Sequence, residues 1–189
     1  MKAFALLASV GLVAALMAAD PTGEPEYQHP LIQGHGGFVA VPGAAEPPAK
    51  GAKAVLDITS DETAGGVVKG LDRAALICNQ YAHAGVGPDK GMKMAIILHG
   101  PATKAALTHD AYVKHSSSYA AHLATKGNPN LKLLERLNDA GVEIYVCAQA
   151  LAHRGYSTEE VAPVVTVAVS AATVNINKQA AGYAYLPFQ

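Results

Sequence analysis

The chain has 189 residues, with 14 Lys and Arg against 15 Asp and Glu; half of its residues are hydrophobic and it lacks tryptophan. A near-neutral balance without a basic run offers nothing to grip a phosphate backbone, so nucleic acid is not expected as a partner. Two cysteines are too few for a disulfide-built scaffold, and burial of apolar side chains must supply most of the stability.

Lys2 is followed by AFALLASVGLVAALM, an uncharged apolar run through Met17, and then by Ala18, Ala19 and Asp20. A short basic start, an apolar stretch of this length and small residues at its exit predict a secretory signal over residues 1–19, too short for a comfortable membrane span. Cleavage after Ala19 or Ala18 puts Met17 or Leu16 at the −3 position, where a small residue is usual. No membrane contact is therefore expected unless the segment is retained as an anchor. The chain is expected in the periplasm or outside the cell, in oxidising surroundings.

Residues 20–52 hold Pro21, Pro25, Pro30, Pro42, Pro47 and Pro48 together with GHGG at 34–37, which predicts an extended, irregular segment. Leu31, Ile32, Phe38, Val39 and Val41 give it something to bury against the domain that follows. Over residues 53–189 strands alternate with helices. AVLDI (54–58) is an apolar strand ending at Thr59-Ser60-Asp61, which read as helix-starting residues, and Val67, Leu71, Ala75, Cys78 and Ala82 form the inner stripe of a helix that stops near Gly85. MKMAIIL (92–98) is the second strand, closed by His99-Gly100-Pro101, and ragged helical stretches cover roughly 103–125.

Asn128-Pro129 reads as a cap followed by the first helical position, with Leu131, Leu134 and Leu137 as the buried stripe and Gly141 as the stop. VEIYVC (142–147) is the third strand. Ser157-x-x-Glu160 is a capping box for one short turn ended by Pro163. VVTVAV (164–169) is the fourth strand, Ser170 caps a helix to about Ala181, and YAYL (183–186) is the fifth strand. Strands apolar on both faces, alternating with helices, predict an α/β fold, a three-layer α/β/α sandwich on a parallel sheet. Ligands of such sheets bind beyond the carboxyl ends of the strands. Asp57, Asp61, His99, Cys147 and Ser170 are placed there, with Gln149 and Arg154 just after the third strand.

Cys147 ends a strand and begins the next helix, where unpaired N–H groups favour a thiolate. His99 ends a strand expected to lie alongside, so its imidazole is a candidate proton partner, and Arg154 adds positive charge two helical turns on. The bland alternative is a cysteine packed as a small hydrophobe. Cys78 falls on the apolar stripe of the first helix and is read as core. A Cys78–Cys147 disulfide is chemically permitted after export, but the two positions need not come within bonding range. His109, His115 and His122 are spaced six and seven apart, without an H-x-x-x-H or C-x-x-C pair, and are read as surface residues rather than metal ligands. The hydroxyl run Ser116-Ser117-Ser118 lacks a G-x-S-x-G setting, so a serine hydrolase is not supported. No cofactor is implied.

LDITSDE after the first strand, AIILHGPAT at 95–103, NPNLKLLERLNDAGVEIYVCAQALAHRG at 128–155 and PVVTVAVSAATVNINKQAAGYAYL at 163–186 together resemble the DsrE/DsrF-like (sulfur-relay) family and its secreted branch. The resemblance covers about residues 53–187. It implies a five-stranded parallel sheet, a homo-oligomer and a site around Cys147, which would carry sulfur as a persulfide and take a small sulfur-containing ligand. Relay members are cytoplasmic, whereas this chain carries an export signal.

Two functions follow. In the first, an exported thiol protein carries or transfers sulfur on Cys147 with His99 beside it. In the second, a non-enzymatic homo-oligomer binds a ligand or protein at the same strand-end pocket, and Cys147 is dispensable. A sulfur open to solvent beside an imidazole favours the first; one ringed by aliphatic carbon favours the second.

Overall fold

The computed structural model describes residues 25–116 and 127–189. The predicted signal segment, His122, Ser117, Ser118 and the rest of the helical reading past residue 116 lie outside them. Five strands form one parallel sheet: β1 (Lys53–Ile58), β4 (Lys93–Leu98), β5 (Glu143–Cys147), β6 (Thr166–Ala168) and β7 (Ala184–Phe188), in the order β6-β5-β4-β1-β7. Between β1 and β4 lie the two-residue strands β2 (Thr63–Ala64) and β3 (Val67–Val68) and helix α1 (Lys69–His83). The later helices are α2 (His109–Lys114), α3 (Leu131–Asp139), α4 (Ala148–Arg154) and α5 (Ala171–Ala180). Among the described residues no helix is long and apolar enough to cross a membrane.

The period-two alternation of the strands divides the core. Leu56, Ile58, Met94, Ile96, Leu98, Ile144 and Val146 face α1 and α3, meeting Leu71, Ala75, Cys78, Leu133, Leu134 and Leu137 in the larger cluster. Val55, Ala95 and Tyr183, and separately Ile97, Cys147, Ala171 and Val174, lie on the other face, where α5 packs over β1 and β4. Strand direction of growth reverses between β1 and β7, so the carboxyl-end crevice of the fold opens there.

Three local departures from the sequence reading have physical causes. The first helix starts at Lys69 rather than near Asp61, because Gly65 and Gly66, both at positive φ, turn the chain into a two-residue hairpin. Asn128 does not cap α3. It is buried and donates to the carbonyls of Ala105 and Leu107, while Asn130 precedes the helix and accepts the Val68 N–H at 2.7 Å. β6 is shorter than residues 164–169, because the turn after Pro163 closes through Val165 N–H to the Ala162 carbonyl.

The Pro-rich segment is strapped across α1. The fully buried Asn79 accepts the N–H groups of Leu31 and Ile32 and donates to the carbonyls of Ile32, His35 and Gly36. Gly36 is needed there: at φ 58° a Cβ would stand 2.0 Å from the backbone nitrogen of Leu76.

Candidate functional site

Leu98 of β4 pairs with Val146 of β5, and both chains remain extended for one residue more. His99 and Cys147 are therefore consecutive-level neighbours at the carboxyl ends of adjacent strands, which run about 4.8 Å apart. Both side chains are on the α5 face. Cys147 packs there against Ile97, Ala171 and Val174, and His99 Nε2 is 2.7 Å from Asp57 Oδ1 of β1, with the Tyr185 hydroxyl of β7 donating to Asp57 Oδ2 at 2.6 Å. Four consecutive strands of the sheet thus present a thiol, an imidazole, a carboxylate and a phenol on one face, descending from the strand ends at Cys147 and His99 to Tyr185 near the start of β7.

The Asp57 carboxyl is 8% exposed. Burial pushes its pKa up, but hydrogen bonds from His99 and Tyr185, the charge of His99 and a hydrogen bond from Asn175 of α5 outweigh it and hold Asp57 below the ordinary carboxylate value. Tyr185 is pushed the other way by the carboxylate to which it donates. This end of α5 is fixed by a capping box in which Ser170 Oγ accepts the Thr173 N–H at 3.1 Å.

Cys147 is the cap residue of α4, and its sulfur accepts the Ala150 N–H at 3.4 Å. It is 5% exposed, and Tyr145, Ala150 and Ala168 complete the apolar wall around it. The outward-facing sulfur expected from the strand-end position is thus enclosed, because the first turns of α5 lie on it. Tyr145, Ala168 and Val174 also line an open cleft of about 680 Å³ beside α5. The sulfur stands one side chain behind that cleft. Both cysteines are free. Cys78 lies in the core, where burial pushes its thiol up to about 12.

The remaining residues named from sequence disperse. Arg154 Nε donates to the Gly100 carbonyl at 2.7 Å, next to His99, and Gln149 donates to the Val169 carbonyl at 3.3 Å. Asp61 is exposed and faces Lys104 and Tyr112 rather than the Asp57 cluster. His109 is exposed, as expected of a surface residue, yet its ring accepts the Asn128 N–H; His115 is half-buried, paired with Glu160 at 2.9 Å and packed on Tyr156. Among the described residues no three His, Cys, Asp or Glu side chains are grouped to hold a metal. Tyr185 and Asn175 escaped the sequence reading. Both lie in the stretch 163–186 that carries the resemblance but in no catalytic pattern, and only the placement of β7 beside β1 and of α5 above them brings the two to Asp57.

At the opposite end of the same face Glu143 accepts from Lys178 at 2.6 Å and from the Tyr145 hydroxyl at 2.5 Å. Burial raises its pKa, but Lys178 and the tyrosines hold it below the usual range.

The family model of the DsrE/DsrF-like family matches residues 53–188. The chain is similar in structure to a protein of unknown function, MTH1491, from Methanobacterium thermoautotrophicum, at 17% identity and TM-score 0.46, over 72% of this chain and 99% of that one. It is likewise similar to the ychN protein of E. coli, at 16% identity and TM-score 0.46, over 72% and 99% of the two chains. No match is found among curated proteins. A five-stranded parallel α/β sandwich and a family match spanning all of it lead to one conclusion: this chain belongs to the DsrE/DsrF-like family.

Proposed function

We propose that the chain is an exported sulfur-carrying thiol protein that holds sulfur as a persulfide on Cys147, with His99 as its proton partner. The observation that carries this reading is the level pairing of Cys147 with His99 on neighbouring strand ends, on one face of the sheet. In the loading step the Cys147 thiolate bonds to the terminal sulfur of a donor persulfide or polysulfide; the donor's S–S bond to that sulfur breaks, and the remaining thiolate or shortened polysulfide leaves with the electron pair. The thiol's proton passes to the imidazole. Tyr145, Ala168 and Val174, which separate the sulfur from the 680 Å³ cleft, must give way for a small sulfur-containing donor to reach it. Assembly into a homo-oligomer is supported by Val169 and Ile176, 72% and 64% exposed, beside and on α5.

The test is incubation of the mature protein with inorganic polysulfide, followed by cyanolysis and intact mass. One added sulfur per chain is expected, lost in Cys147→Ser and kept in Cys78→Ser. A second reading, a non-enzymatic homo-oligomer that binds a ligand at the same strand ends, is favoured by the 5% exposure of Cys147 and its aliphatic wall. On that reading the wild-type protein takes up no sulfur, and Cys147→Ala leaves binding and phenotype intact.

A further inference from the structure

We propose that Asp57 is the positioning residue of this site: it fixes the His99 ring through Nε2, so that Nδ1 is left to take the proton of Cys147, while Tyr185 holds the carboxylate in place. The proposal rests on the thiol reading above and adds to it the residues that make the imidazole a competent base. Strand order supplies the geometry. β5, β4, β1 and β7 are consecutive; Cys147, His99 and Asp57 stand at or near the carboxyl ends of the first three on the α5 face, and Tyr185, level with Val55 near the start of β7, reaches up the same face to Asp57.

A neutral imidazole carries one proton, and a carboxylate 2.7 Å from Nε2 places it there. The lone pair is then on Nδ1, which points to nearly the opposite side of the ring. With Asp57 on the β1 side of His99, that side is the one toward β5. Among the described residues the His99 ring has no hydrogen bond other than the one to Asp57. Once Nδ1 is protonated, the carboxylate faces a cation, and the thiolate and imidazolium are formed together at lower cost than without it.

Asp57 must itself stay ionised and still for this to work. The Tyr185 hydroxyl donates to its second oxygen at 2.6 Å, and the Asn175 amide of α5 lies close enough to help lower its pKa. The ionisable groups around the ring are Asp57 from β1, with Tyr185 beyond it on β7, and Arg154 of α4, which is held by the carbonyl of Gly100; Cys147 is the level neighbour on β5. From α5 the neutral Asn175 approaches Asp57. A carboxylate serving merely to tie β1 to β4 would not need a phenol as a further donor.

The test is the rate of alkylation of Cys147 by iodoacetamide in the full mature chain, with the modified cysteine identified by peptide mass, at about pH 6 and about pH 9. Asp57→Asn is expected to slow alkylation about tenfold near pH 6 and to leave it close to wild type near pH 9, where solvent hydroxide removes the proton unaided. Tyr185→Phe, which keeps the ring and removes one donor to Asp57, is expected to slow it about threefold at the lower pH only. It also serves as the probe if Asp57→Asn does not fold. A ratio of variant to wild-type rate that is the same at both pH values, or a thiol silent at both, overturns the proposal. Failure of the sulfur-carrier reading looks different: no sulfur is taken up from polysulfide, yet the pH-dependent effect of Asp57→Asn persists.

Discussion

Replacing Asn79 with alanine should release the N-terminal strap from α1. The side chain satisfies two N–H groups and three carbonyls of residues 31–36 from a position with no solvent exposure. Each such group left buried and unpaired costs about 1–3 kcal/mol, so five would cost more than the strap gains by staying. It will come off, and water will satisfy its backbone. What is lost is then the docking itself: the burial of Ile32, 1% exposed and worth about 2 kcal/mol, and the bonds from Gly36 N–H to Asp72 and from Arg136 to the Gln33 carbonyl, about 1 kcal/mol each. A loss of about 2–4 kcal/mol in urea unfolding is expected, together with rapid thermolysin cleavage beside Ile32 and Phe38 while residues 53–189 stay intact. An unfolding midpoint within about 0.5 kcal/mol of wild type, with the strap still protected, would show that Asn79 does not hold it.

Two further outcomes follow from titratable groups. Glu160 accepts from Lys114, from His115 and from the Ser157 N–H, which lower its pKa from 4.5 to about 2. A depressed carboxyl stabilises the fold above its unfolded value and loses that contribution as pH falls from about 4.5 towards 2; Glu160→Gln should flatten the fall in melting temperature over that window, and a parallel fall in both proteins would refute the assignment. Cys78, pushed up to about 12 by burial, should stay unmodified by maleimide at neutral pH in the folded protein and react only in denaturant. Two thiols titrating without denaturant would contradict its place in the core.

The alternation of apolar runs with capped helices was legible because it is local. Strand β5 and helix α5 with its Ser170 cap follow from hydrophobic period and end chemistry within a dozen residues. So does the parallel sheet as a class, since strands apolar on both faces must be covered twice. The placement of Cys147 and His99 at the ends of neighbouring strands was legible for the same reason, since each closes an apolar run.

Other features depended on contacts between residues far apart in the chain. Tyr185 reaches Asp57 across 128 positions, and Asn79 grips a segment more than 40 positions before it. No periodicity records either contact. Whether the sulfur at the end of β5 is open or covered also depends on where α5 lies, and packing rather than local sequence decides that. Segment type is set by the preferences of neighbouring residues, whereas strand order and the partners of a buried polar group are settled only when the whole core closes.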